Sequence, residues 1–169
     1  QGCIQRADSA LLNIRSNGYS ITEAQITTTT GQYLAHTSPS IHEDRLVWVD
    51  NRDGDTEIYL YDLIANTETK LSNNIDNDGN PEVWGDYVVW LSGAVNPSVI
   101  LYNIGTGAQT NLGLGFAPDL YMTNVVWTDV WTRAIILYNI TTSSTIQISG
   151  PNCGGTTHAY GDYVAYRND

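Results

Sequence analysis

A repeat split between the two ends of the chain constrains this sequence more than anything else in it. Three segments read nearly alike: Pro39-Ser-Ile-His-Glu-Asp-Arg-Leu-Val-Trp48, Pro81-Glu-Val-Trp-Gly-Asp-Tyr-Val-Val-Trp90 and Pro118-Asp-Leu-Tyr-Met-Thr-Asn-Val-Val-Trp127. A fourth copy, His158-Ala-Tyr-Gly-Asp-Tyr-Val-Ala-Tyr166, carries only the first half of the unit. The second half follows in the others as Tyr59-Leu-Tyr-Asp-Leu63, Leu101-Tyr-Asn-Ile104 and Leu137-Tyr-Asn-Ile140, and its fourth match, Leu11-Leu-Asn-Ile14, lies near the N-terminus. Completing one unit therefore requires the two ends of the chain to meet, which describes a closed ring.

Spacing supports this. The aromatics Trp48, Trp90, Trp127 and Tyr166 are 42, 37 and 39 residues apart. Tyr61 to Leu71, Tyr102 to Leu112 and Tyr138 to Ile148 each span 10 residues. The N-terminal copy spans 14 from Leu12 to Ile26, as a longer hairpin carrying Asn17-Gly18 would. A period near 40 with four short strands, here lettered A to D, is the pattern of a propeller blade. Runs such as Leu46-Val-Trp-Val49 and Val88-Val-Trp-Leu91 are strand-like, Gly85-Asp86 and Gly161-Asp162 are turn formers, and no segment keeps a 3.6-residue apolar stripe.

The expectation is an all-β, four-bladed β-propeller in which each blade is a four-stranded antiparallel sheet. One domain, 1–169, holds blade one at about 38–72, blade two at about 80–113 and blade three at about 117–149. Blade four joins strands A and B at about 157–169 to strands C and D at about 9–30, removing the open edges of an unclosed ring. A fragment of a larger propeller would also show four repeats, but the complementary half-blades favour closure at four.

Composition narrows the function. A 169-residue chain can bury roughly 70% of its unfolded surface, enough for a single core. The net charge is −11, with Lys70 the sole lysine beside six arginines. That leaves no basic patch for nucleic acid or anionic membrane surfaces. No apolar run is long enough to span a bilayer, so membrane insertion is not expected.

Two cysteines bear on compartment. Cys3 precedes strand C of blade four, and Cys153 lies in the connection from blade three to blade four. In an A-to-D meander these positions emerge on one face, so a Cys3–Cys153 disulfide locking the ring is expected, against two unrelated thiols. No metal or haem cysteine spacing competes with it. An extracellular or cell-surface setting follows. The chain opens at Gln1 with no initiator methionine, as a processed product would.

The run Asp44-Arg45-Leu-Val-Trp-Val-Asp-Asn-Arg-Asp-Gly-Asp-Thr-Glu-Ile-Tyr-Leu-Tyr-Asp62, followed by Leu71-Ser, Asn80-Pro81 and Gly85-Asp86, resembles the TolB-like β-propeller repeat of secreted and surface proteins in archaea and bacteria. The resemblance covers about 38–169, strongest in the first repeat and weaker in the third, where Met122-Thr-Asn124 replaces the Gly-Asp turn. It implies fold and an exported location, but no reaction, because propellers host many unrelated functions. Most such proteins have more blades, so the count of four rests on the complementary ends.

Three kinds of candidate site stand out. The loop Asp50-Asn-Arg-Asp53-Gly-Asp55 and the connection Asn74-Ile-Asp76-Asn-Asp78-Gly-Asn80 share a face, so Asp53, Asp55, Asp76 and Asp78 are candidate calcium ligands. Asp-Gly and Asn-Gly are also ordinary turn formers. Strand A is innermost, and alignment puts Ser40, Glu82, Asp119 and His158 at one station; facing the axis, Glu82 and Asp119 would raise a carboxyl pKa or recruit a cation. Trp84, Tyr121, Tyr160 and Trp131 are candidate sugar-stacking rings, with packing the alternative.

No catalytic constellation is evident. His36, His42 and His158 show no metalloprotease pairing, no serine sits in a nucleophile elbow, and no glycine loop cradles phosphate. The chain is therefore expected not to be an enzyme. The leading expectation is an extracellular structural subunit, calcium-stabilised, that assembles with copies of itself into a homopolymeric fibre or layer. The alternatives are a glycan-binding module or an accessory domain of a larger secreted protein.

Overall fold

The computed structural model describes residues 10–14, 21–26 and 36–167. Every regular element among them is a β-strand. Strands β1 (Ala10–Ile14) and β2 (Ile21–Gln25) form one antiparallel pair. A four-stranded meander follows: β3 (His36–His42), β4 (Arg45–Asp50), β5 (Glu57–Asp62) and β6 (Thr67–Lys70), in that spatial order. Next come β7 (Asp78–Trp84), β8 (Tyr87–Ser92), β9 (Ser98–Asn103), β10 (Gln109–Tyr121), β11 (Asn124–Asp129), β12 (Ile135–Asn139) and β13 (Ser144–Gln147), hydrogen-bonded as one seven-stranded sheet. Strands β14 (Thr157–Tyr160) and β15 (Tyr163–Tyr166) form a last pair.

The seven-stranded sheet exists because β10 serves two units. Its first part, Gln109 to Leu114, pairs with β9, and its last part, Gly115 to Tyr121, pairs with β11. Elsewhere strand D and the next strand A are separate, as between Lys70 and Asp78.

Register repeats with the motif. Trp48 lies opposite Tyr59, Trp90 opposite Ile100 and Trp127 opposite Ile136. Three of the four strands A, β3, β7 and β10, break register at the same step, between Thr37 and Ser40, Gly79 and Glu82, and Phe116 and Asp119, and β14 does not. The cause is the X-Pro pair inside each of those three steps. Proline lacks the N–H a ladder needs, so the strand bulges around it. Ser38, Asn80 and Ala117, each preceding the proline, take positive φ of 51°, 52° and 46°.

The Tyr-Asn-Ile motif is likewise explained. Asp62, Asn103 and Asn139 each accept backbone N–H groups of the following turn through a side-chain oxygen. The next residue, Leu63, Ile104 or Ile140, donates its N–H to the carbonyl of Asp44, Asp86 or Thr123 in the A–B turn. Those turns open on Glu43, Gly85, Met122 and Gly161, all with positive φ, so Met122-Thr123 makes the same turn as Gly85-Asp86.

Cores lie between successive units. Val47, Val49, Ile58 and Leu60 pack with Leu71 against Val83, Val88 and Trp90 of the next unit. Leu112 packs into the following cluster with Leu120, Val125 and Trp127. Ile26, just past β2, packs on Leu46, Trp48, Tyr59 and Tyr61 of the first full unit. Val47, Trp48, Val89, Val125 and Val126 are wholly buried.

One part of the expectation is not shown. Among the described residues no hydrogen-bonded pairing joins the terminal half-blades, and β1–β2 and β14–β15 are separate two-stranded sheets. Strand β15 is only four residues long and exposes Tyr163 and Tyr166. The all-β class and the antiparallel units stand.

Candidate functional site

The bulges aim strand A at a common point. Ser38 and Pro39, Asn80 to Glu82, Ala117 to Asp119, and Thr156 to His158 together line a cavity of about 260 Å³. Ser40, Glu82, Asp119 and His158 fall at the equivalent station, opposite Val47, Val89, Val126 and Ala165 in the register. Of the four, Glu82, Asp119 and His158 line the cavity, and Ser40 does not.

Hydrogen bonds tie the station from unit to unit. The Ser40 hydroxyl donates to Glu82 Oε2 at 2.7 Å and accepts the Val83 N–H at 3.3 Å. Asp119 Oδ2 accepts the N–H of Ala159, the equivalent of Val83, at 2.5 Å. The Thr157 hydroxyl donates to the Ala117 carbonyl at 2.6 Å. His158 Nδ1 stands 3.8 Å from Asp119 Oδ2, and its side chain is 74% exposed. Burial raises the Glu82 carboxyl above its ordinary range and Asp119 adds to that, against the Ser40 hydrogen bond and His158.

A second tier lies two residues further along each strand A. Side chains at i and i+2 share a face about 7 Å apart. Here they are His42, Trp84, Tyr121 and Tyr160, one from each unit. Ring centroids are 4.0 Å apart for His42 and Trp84, 4.4 Å for Trp84 and Tyr121, and 5.0 Å for Tyr121 and Tyr160. His42 Nδ1 also accepts the Gly85 N–H at 3.0 Å. The motif alignment contained this arc, but His42 gave no aromatic signal beside tryptophan and tyrosine. Of the four candidate rings, Trp84, Tyr121 and Tyr160 come together, and Trp131 sits exposed in the β11–β12 loop, outside the arc.

The acidic loops are distributed differently. Asp53 accepts from the Tyr59 hydroxyl at 2.7 Å and from Lys70 Nζ at 2.9 Å. Asp55 is half-buried in the loop, and Asp76 is exposed, with its N–H bonded to Asn74. Asp78 is buried and accepts from Asn74 Nδ2 at 3.0 Å, while its other oxygen has no hydrogen-bond partner. Glu57, which sequence reasoning missed, is 1% exposed and holds the Ser72 hydroxyl at 2.5 Å and Lys70 at 3.1 Å. Among the described residues no group of three or more His, Cys, Asp or Glu side chains is arranged to hold a metal ion. Cys153 is half-buried with Sγ 3.6 Å from the Pro151 carbonyl. Cys3 lies outside the described residues, and with it the proposed Cys3–Cys153 pair.

Antiparallel units arranged around a cavity lined by their innermost strands make a β-propeller fold, similar to that of TolB proteins. Solved structures agree. TolB from Acinetobacter baumannii matches with a TM-score of 0.55 at 16% identity, over 88% of this chain and 42% of that one. A puromycin-hydrolysing peptidase of Mycobacterium tuberculosis matches with a TM-score of 0.62 at 15% identity, over 80% of this chain and 23% of that one. Prolyl oligopeptidase B from Galerina marginata, bound to a 35mer hydrolysis and macrocyclization substrate, matches with a TM-score of 0.63 at 13% identity, over 86% and 23%. No family model and no curated protein matches the sequence. At these identities the likeness is to the fold alone, and the chain spans less than half the length of each of these three.

These neighbours correct the expectation of a non-enzyme. Two of the three are enzymes that carry a propeller of this shape, so missing catalytic motifs do not set this chain apart from enzyme propellers.

Proposed function

We propose that this chain is a ligand-binding propeller module that takes a sugar-sized polar ligand in its axial cavity. The observation that carries this is convergence: four strands A bring polar groups to one cavity, Glu82, Asp119 and His158 among them, and an arc of aromatic rings stands two residues further along the same strands, outside the cavity lining. A pyranose has an apolar face and a rim of hydroxyls, which match an aromatic platform beside carboxylate and hydroxyl acceptors. The cavity, at about 260 Å³, is just below the roughly 300 Å³ where pockets for drug-sized ligands begin, which suits a single ring. The test is calorimetry against a glycan panel with Tyr160→Ala, whose ring is 74% exposed and whose removal should leave the melting temperature close to the parent's. Loss of binding in that variant supports the reading. A protein that binds no glycan in the panel refutes it.

The ring that frames this cavity closes, in our reading, through β1. Pairing in the other units predicts Tyr166 opposite Ala10, Ala165 opposite Leu11 and Tyr163 opposite Asn13. Ile26 supports it, since it packs on the first unit as Leu71 packs on the second and Leu112 on the third. Hydrogen exchange of β15 amides as slow as those of β4 would support closure, and exchange at the rate of an exposed edge would exclude it.

A second reading, self-assembly into a fibre, is favoured by the same unpaired edge of β15. A neighbouring copy could supply the β1–β2 hairpin, as in strand-addition assemblies. Monomers at high concentration by light scattering would remove it.

A further inference from the structure

We infer that the axial cavity seats an ammonium group, so that the sugar it takes is an amino sugar with a free amine. This rests on the sugar-binding reading above. The ionisable side chains among the lining residues are Glu82, Asp119 and His158, with no lysine or arginine. Among the described residues, Lys70 is paired with Asp53 and Glu57, Arg52 with Asp50 and Glu68, and Arg45 with Asp44 and Asp62, while Arg133 lies over the Phe116 ring. Two carboxylates thus enter one cavity, and their close hydrogen bonds come from the neutral Ser40 hydroxyl and Ala159 amide. His158, 3.8 Å from Asp119 and largely in solvent, is a weak counter-charge.

Charges drawn out of water call for a partner of opposite sign. An ammonium offers three donors in a compact head, which Glu82, Asp119 and a lining threonine or asparagine oxygen can accept. A calcium ion is disfavoured by count. It takes six to eight oxygens, and no group of three metal-binding side chains occurs among the described residues. The size of the cavity limits the ligand to one ring, hence a free amino sugar or the end residue of a chain.

Glucosamine and glucose decide the matter, because they differ by an ammonium in place of one hydroxyl, and N-acetylglucosamine keeps the nitrogen without the charge. Calorimetry of the intact chain at neutral pH should show glucosamine binding at least tenfold tighter than either. Glu82→Gln and Asp119→Asn retain the hydrogen-bond acceptors for Ser40 and Ala159, and each should narrow that gap about tenfold. Equal affinity for all three sugars overturns the ammonium seat and leaves the sugar reading standing. Displacement of glucosamine by millimolar calcium, lost in Asp119→Asn, also overturns it and gives the seat to a metal ion. Binding of none of the three, with the His158 and Tyr160 resonances unmoved in NMR spectra, takes down the sugar reading itself.

Discussion

Strands β11 and β15 begin from nearly the same words and end in different surroundings. Val125-Val126-Trp127 in β11 is sealed, with Trp127 2% exposed, whereas Tyr163 and Tyr166 of β15 are 80% and 43% exposed. Strand β11 lies between β10 and β12, and β15 pairs with β14 alone. Burial in a repeat fold is supplied by neighbours, each unit covering the next, and a repeat has little core of its own. The same lesson shows between units. Leu71 is buried against its follower, but Ile148, at the equivalent station before the last pair, is 38% exposed.

The largest expected effect tests that contrast directly. Trp127→Ala opens a cavity in a sealed core and should cost about 3–5 kcal/mol of unfolding free energy by urea titration. Tyr166→Ala reads the seam. A β15 covered by β1 predicts a loss above about 2 kcal/mol for so large a ring, and an open β15 predicts less than about 1 kcal/mol. The second outcome would end the closed-ring reading.

Next in size is a glycine pair that contrasts the shared strand with the terminal hairpin. A Cβ on Gly115 in β10 would fall 2.2 Å from Trp127 Cδ1 and 2.7 Å from the Thr128 carbonyl. Backbone cannot give way cheaply there, so Gly115→Ala should cost about 1–3 kcal/mol. Gly161 in the β14–β15 turn has open space around it but φ of +57°. Gly161→Ala should therefore lose only about 1–2 kcal/mol, from the left-handed backbone alone. Glu43 and Met122 already hold that station in other units. A melting temperature unchanged by Gly115→Ala would mean that β10 is not a tight joint.

Much of this fold was legible because each repeat writes its register in the same letters. The Val-Val-Trp columns and the Asn or Asp before the C–D turn locate strands B and C, and the prolines place the bulge that turns Glu82 and Asp119 to the cavity. The continuity of β10 was not legible. Leu112-Gly-Leu-Gly115 looks like a break between units, and only the pairing shows an extended strand passing from β9 to β11. The acidic loops misled differently. Asp53 and Asp78 share a loop face in the alignment, but partners distant in sequence separate them, Lys70 and Tyr59 taking the first and burial taking the second. Local spacing carries no information about such partners.

The smallest effect concerns the joint between the first two full units, which has no counterpart at β15. Two aspartates are buried there in opposite conditions. Burial alone would raise the Asp50 carboxyl, but the Arg52 guanidinium and N–H, the Trp48 indole and His36 outweigh it and hold it below its ordinary value. Burial raises Asp78, and Glu57 adds to that, against the hydrogen bond from the Asn74 amide. A depressed carboxyl contributes stability above its unfolded pKa that is lost as pH falls through the folded value. A raised one works the other way, since the folded state binds more protons, so stability falls as pH climbs from the unfolded to the folded pKa. Asp78→Asn removes that penalty. Its melting temperature should exceed the parent's at neutral pH, and the two should converge below about pH 4, where the unfolded carboxyl is also protonated. A variant less stable than the parent at neutral pH would show that the acceptors of the Asp78 carboxylate contribute more to this joint than its burial costs.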